Sequence, residues 1–235
     1  MRFFIDQPIS GGAKIVITDA GICHQLARVL RYTIGDTIIV LDGKGSEGEA
    51  VIQSITKNAV TVKIGACGKN TNESEYTVTL YQSVLKKDKM EWVFEKCTEI
   101  GVARFVPVLS EHSVKQGVNF IRARKIAQEA AEQSRRGIIP EINEISSFES
   151  AVKEAKESGA VCVLAHNIGE AEHLRDFART HDLSGGVNVF VGPEGGFSDA
   201  EVAYASQNGF HIVSLGKRTL RAETAAIPAC VAGVR

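Results

Sequence analysis

Apolar and polar positions alternate in short runs through the first third of the chain, then the rhythm changes. Runs at residues 2–5, 14–18, 37–41, 49–55 and 59–64 are rich in the β-branched and aromatic residues that favour strands. Turn chemistry separates them: Gly11-Gly12, Gly35-Asp36, Asp42-Gly43-Lys44-Gly45 and Lys57-Asn58. Strands this short at this spacing predict a small barrel. HQLARVLR at 24–31 breaks the pattern with helical spacing. A helix there puts His24, Arg28 and Arg31 on one face and Leu26, Val29 and Leu30 on the other. That basic face fits either a ridge touching nucleic-acid phosphate or a plain solvated helix.

The polar stretch at 68–75 reads as a linker, dividing a domain at 1–70 from one at 75–235. Beyond it strands alternate with helices. A strand at 76–85 precedes a helix opened by an Asp88/Glu91 capping box and closed by Gly101. Then come a strand at 104–109, a helix at 119–136, a helix capped by Ser146 with Glu149, a strand at 160–165 and a helix at 170–180. Two further apolar runs, ending at Val191 and Leu215, each break into a glycine-marked turn and a helix, the first with Ser198/Glu201 as its capping box. Such βα alternation predicts a largely parallel α/β sheet.

Those two late junctions carry the chemistry, because ligands of α/β sheets gather at the carboxyl ends of strands. The turn Gly192-Pro193-Glu194-Gly195-Gly196 matches neither a P-loop nor a dinucleotide fingerprint. Glu194 would repel phosphate and suits a neutral or cationic ligand; a plain tight turn is the alternative. The second turn places Lys217, Arg218 and Arg221 just before a helix, the wrong sign for its dipole. Cations there favour an outside partner such as RNA or DNA phosphate. Gln133, Arg135 and Arg136, in EAAEQSRR at 129–136, either end a surface helix or extend a basic face. Composition narrows the classes. At 235 residues, 44% apolar and 23% charged, the chain reads as an ordinary soluble protein, without a run near the roughly 20 apolar residues of a membrane span and without a secretory leader. Net charge of −1 sets no global nucleic-acid signature. Five scattered cysteines point to a reducing compartment. Glu170 and His173 have metal-ligand spacing but form an isolated pair, so no metal is expected.

These residues resemble the RsmE family of 16S ribosomal RNA methyltransferases, in the SPOUT superfamily. The resemblance is carried by GPEGGFSDAE at 192–201 and LGKRTLRAETA at 215–225. HQLARVLR, KKDKMEWVFEKCTEIGV at 86–102 and EAAEQSRR follow in the expected order, so nearly the whole chain is covered. His112 stands where relatives often carry Arg, and Thr219 and Ala222 replace commoner choices. The resemblance implies a PUA-like β-barrel at 1–70 that binds RNA. It also implies a SPOUT-type α/β domain at 75–235 with a deep C-terminal trefoil knot, which topology rules alone would never suggest. It further implies a cytoplasmic homodimer that uses S-adenosyl-L-methionine (SAM) to methylate N3 of one uridine in 16S rRNA, acting on the assembled small ribosomal subunit, with no metal and no membrane.

By the same resemblance, SAM would lie against Leu164, Ala165 and His166, against Gly192, Pro193, Glu194, Gly195 and Gly196, and against Leu215, Gly216 and Leu220. Arg221 and Arg218 are the catalytic candidates, holding the uracil oxygens or the phosphate. Glu223 is expected to orient Arg221, with acceptance of the N3 proton as its other possible role. His24, Arg28, Arg31, Arg135 and Arg136 are the expected RNA contacts. Other readings stay open: the same fold acting on another RNA, a non-catalytic ribosome-assembly protein, and a nucleotide-binding enzyme of Rossmann type.

Overall fold

Burial alternates along the N-terminal strands as a one-sided sheet requires. In the computed structural model, which describes residues 1–113, 117–167 and 171–231, the chain divides into two units. The first comprises Met1–Glu73 together with Ala131–Ile139, the second Ser74–Ala130 with Pro140–Arg235.

Unit 1 holds β1 (Arg2–Phe4), β2 (Lys14–Ile17), β3 (Thr37–Leu41), β4 (Ser46–Ile55) and β5 (Val60–Lys69). They form a mixed sheet in the order β1-β3-β4-β5-β2; β1 runs parallel to β3 and the other pairs are antiparallel. Phe3 of β1, Ile15 and Ile17 of β2, and Val40, Ile52 and Val62 between them share one core. Helix α1 (Ala20–His24) starts at Asp19, whose carboxylate accepts the Ile22 N–H at 2.8 Å, and continues as a π-turn over Gln25–Val29. The expected regular helix is thus corrected. The wider i→i+5 turn, closed by Leu30 N–H to Gln25 O at 2.8 Å, keeps Leu26 fully buried but turns Val29 outward, 61% exposed.

The polar stretch belongs to this unit as far as Glu73. The Asn70 side chain donates to the Arg135 carbonyl at 3.1 Å, and Glu73 accepts the Gly137 and Ile138 N–H groups at 2.8 and 3.0 Å. Phe4, Leu41 and Ala131 share a small core with Ile139 against it.

Unit 2 contains β6 (Val78–Ser83), α2 (Lys87–Ile100), β7 (Arg104–Leu109), α3 (Phe120–Gln133, whose last residues fall in unit 1), β8 (Glu141–Ile142), β9 (Ser146–Ser147) and α4 (Phe148–Glu157). There follow β10 (Val161–Ala165), β11 (Glu172–His173), α5 (Leu174–Thr180), β12 (Val187–Val191), α6 (Asp199–Gln207), β13 (His211–Ser214) and α7 (Ala222–Val231). The sheet order is β11-β13-β10-β12-β6-β7-β8, with β9 also on β7, and each of these pairs is parallel. Both faces are covered, so successive strand residues serve different cores. Val187, Val189 and Val191 pack with α2, α3, α5 and α7, whereas Phe190 packs with α4 and α6.

Several helix starts differ from expectation. Helix α2 begins at Lys87 with no side-chain cap, placing Asp88 inside the first turn, where a carboxylate suits the dipole. Ser147 rather than Ser146 caps α4, accepting the Ser150 N–H at 3.2 Å, because Ser146 pairs with β7. Helix α5 starts only at Leu174, since Glu172 and His173 join the sheet edge. Glu170 lies outside the described residues.

Candidate active site

Three neighbouring strands, β13, β10 and β12, end level with one another: Ala165 is in register with Val191 on one side and Val213 on the other. Their following loops enclose a cavity of about 270 Å³ at the carboxyl edge. Ala165, His166 and Asn167 form its floor beyond β10, the turn at 192–196 one wall, and Leu215, Gly216, Arg218, Thr219 and Leu220 with the start of α7 the other.

The glycine turn is held from several sides. Gln82 Nε2 donates to the carbonyls of Val191 and Gly192 at 3.3 and 3.4 Å, fixing the point where β12 ends. The turn closes by Gly196 N–H to Pro193 O at 2.9 Å, and Gly196 has φ 71°, a conformation glycine adopts without strain. A Cβ on Gly195 would lie 2.9 Å from the Cβ of His112, whose Nδ1 is 3.2 Å from Gly196 O. Past the turn, the capping box at Ser198 and Glu201 forms as expected. The second oxygen of the buried Glu201 carboxylate accepts the Glu111 N–H at 2.9 Å.

On the opposite wall, α7 buries Ala222, Ala226, Ala229 and Cys230, a small-residue stripe that lets it lie close to α2, β12 and β6. Helix α2 also supplies a cation. The Lys89 ammonium lies 2.7 Å from Glu194 Oε1 and 3.6 Å from Glu223 Oε2. Its hydrogen bond holds the Glu194 carboxyl below the usual carboxylate range, with Lys86 adding to the effect, and the same bond raises Lys89. Burial pushes the His166 imidazole below its ordinary value, which leaves it neutral at neutral pH.

All the cofactor-contact residues expected from sequence line this cavity except Leu164, which is fully buried beneath it. Arg218 lines it as well; Arg221 is exposed just before α7. The expected Glu223–Arg221 pairing is corrected: the Glu223 carboxylate, 13% exposed, sits beside Lys89 of α2. Sequence reasoning did not name Asn167, Ala225 or Lys89. Lys89 carried a legible signal, a cation in the first turn of a helix, which the dipole disfavours. In unit 1, His24, Arg28 and Arg31 are exposed, as is Arg135. Arg136 is corrected from an RNA contact to an internal one. It is 3% exposed, with Nη2 2.8 Å and Nε 3.2 Å from Glu73 Oε2. Among the described residues no cluster of three His, Cys, Asp or Glu is arranged to hold a metal ion, and no helix is long and apolar enough to cross a membrane.

A parallel sheet with a glycine-walled cavity at its carboxyl edge defines an α/β protein that binds a small ligand. Residues 72–233 match the RNA methyltransferase domain family, and residues 17–65 match the RNA methyltransferase PUA domain. The chain is 30% identical to ribosomal RNA small subunit methyltransferase E of Bacillus subtilis, over 95% of its own length and 92% of the relative's. It also superposes on the ribosomal RNA small subunit methyltransferase E of Neisseria gonorrhoeae bound to S-adenosyl methionine, with TM-score 0.89 and 31% identity over 98% of this chain and 94% of that one. A protein from Legionella pneumophila, solved in complex with the bound cofactor SAM, gives TM-score 0.86 and 29% identity over 97% and 94%. The chain belongs to the family of RNA methyltransferases called ribosomal RNA small subunit methyltransferase E.

Proposed function

We propose that the chain is a cytoplasmic, SAM-dependent methyltransferase that acts on N3 of a uridine in 16S rRNA within the small ribosomal subunit, and that it works as a homodimer. The observation that carries the reading is the cavity itself, enclosed by three loops at one sheet edge, with the exposed cations Arg218 in its lining and Arg221 directly after the lining residue Leu220. The cavity suits the cofactor: a Cβ on Gly196 would stand 3.9 Å from His166 Cε1 on the floor, so glycine there leaves room where an adenine would meet backbone groups, and neutral His166 adds no charge. When bound, SAM supplies a methyl group activated on a sulfonium.

The chain's residues do the rest. Loops 165–167, 192–196 and 215–220 hold the cofactor and orient its methyl group, and alignment lowers the barrier to transfer. A uridine N3–H must be lost before the nitrogen offers a lone pair, and cations facing the uracil oxygens stabilise the anion that forms. Arg221 and Arg218 take that role in this reading, and Glu223 stands beside Lys89 rather than Arg221. His24, Arg28, Arg31 and Arg135 of unit 1 contact RNA phosphate.

The proposal extends to the fold. Unit 1 is a PUA-like barrel, supported by β1 and β2, the two ends of the strand order, sharing one core. Unit 2 is a SPOUT domain with a trefoil knot, supported by the return of the chain from β13, beyond β10, to α7 on β12, β6 and α2.

Tritium-labelled SAM with small subunits lacking the mark, followed by nucleoside analysis, is expected to yield N3-methyluridine. A different modified base moves the target, and absence of SAM binding overturns the reading. Arg221→Ala is expected to lower the transfer rate by about 10²–10³-fold while SAM binding is retained; full activity would remove Arg221 from the mechanism.

A further inference from the structure

The glycine turn after β12 and the first turn of α7 each bring a carboxylate to the same place. Glu194 lines the cavity, and Glu223 stands between two residues that do, Ala222 and Ala225. Glu223 Oε2 is buried and makes no hydrogen bond. Without a cation, two carboxylates brought to one partly buried place would repel. The nearby cation is Lys89, whose ammonium lies between them. Helix stability does not explain Lys89, since a cation in the first turn opposes the dipole.

We propose that Lys89 is a positioning residue of the site, whose one ammonium, shared by Glu194 and Glu223, ties the glycine wall of the cavity to the α7 wall. This rests on the cavity being the SAM site. Lys89 stays outside the lining, so it acts through the walls and not by touching the cofactor. The charged groups facing Glu194 are Lys89 of α2 and Lys86 just before that helix, and Glu223 faces the Lys89 ammonium from α7.

SAM affinity by calorimetry, with no RNA present, tests the idea. Lys89→Met keeps the volume of the stem and deletes the charge; SAM Kd is expected to weaken on the order of tenfold, the scale of one uncompensated buried polar group. Lys89→Arg is expected to stay within about threefold of the wild type, since a guanidinium serves both carboxylates. Adding Glu194→Gln to Lys89→Met should recover affinity, and this pair decides the matter if Lys89→Met alone does not fold. If wild type binds no SAM, the cofactor site is wrong. If wild type binds SAM and Lys89→Met binds equally well, or the double variant recovers nothing, Lys89 has no such role.

Discussion

Gly195 shows how much a single hydrogen in place of a side chain can decide. Because a Cβ there would come within 2.9 Å of the His112 Cβ, Gly195→Ala must push the turn or the loop carrying His112 aside. Such overpacking costs about 1–3 kcal/mol. SAM Kd is therefore expected to rise about tenfold or more, measured by calorimetry, with part of the loss recovered by His112→Gly. The glycine turn was legible in sequence as a backbone-access loop. Its neighbour was not, since His112 follows a different strand and nothing local links the two. Glu223 failed for the same reason: Arg221 is near in sequence, Lys89 only near in space. Arg136 looked like one more exposed cation at a helix end, until Glu73, far back along the chain, turned out to receive it.

At the scale of elements, apolar patterning located the longer strands and most of the helices, because burial on one or two faces writes its period into sequence. Helix starts were less legible. Ser146 and Ser147 both offer a capping hydroxyl, and only the pairing of Ser146 with β7 selects Ser147. The π-turn left no trace in the spacing of HQLARVLR. Helix α7 was foreseen as an element, but its close approach to α2 depends on Ala226 and Ala229, which read as neutral helix formers. Ala226 is fully buried, so Ala226→Leu is expected to lower stability by about 1–3 kcal/mol. Because α7 follows the wall at 215–220 directly, the thermal shift produced by SAM should shrink in the same variant; scanning calorimetry with and without SAM reads both effects.

For the whole molecule, the boundary drawn from composition at 70–75 is incomplete. Polar residues between two patterned regions look like a linker, yet Asn70 and Glu73 find their partners in residues 135–138. Breaking that attachment is expected to be costly: Arg136→Ala takes the cation from the Glu73 carboxylate, which keeps the Gly137 and Ile138 N–H groups, and should reduce stability by about 1.5–3 kcal/mol, the scale for lost hydrogen bonds to a charged group. Urea unfolding followed by fluorescence and circular dichroism measures it, and a change under about 1 kcal/mol would mean the ion pair holds little. Because unit 1 is finished by residues 131–139, its folding is tied to the timetable of synthesis. At about 5–20 residues per second, the first 73 residues wait several seconds in the open while the intervening chain is translated. Throughout that interval Phe4 and Leu41 lack Ala131 and Ile139, leaving a nascent chain with an uncovered apolar patch for chaperones to shield.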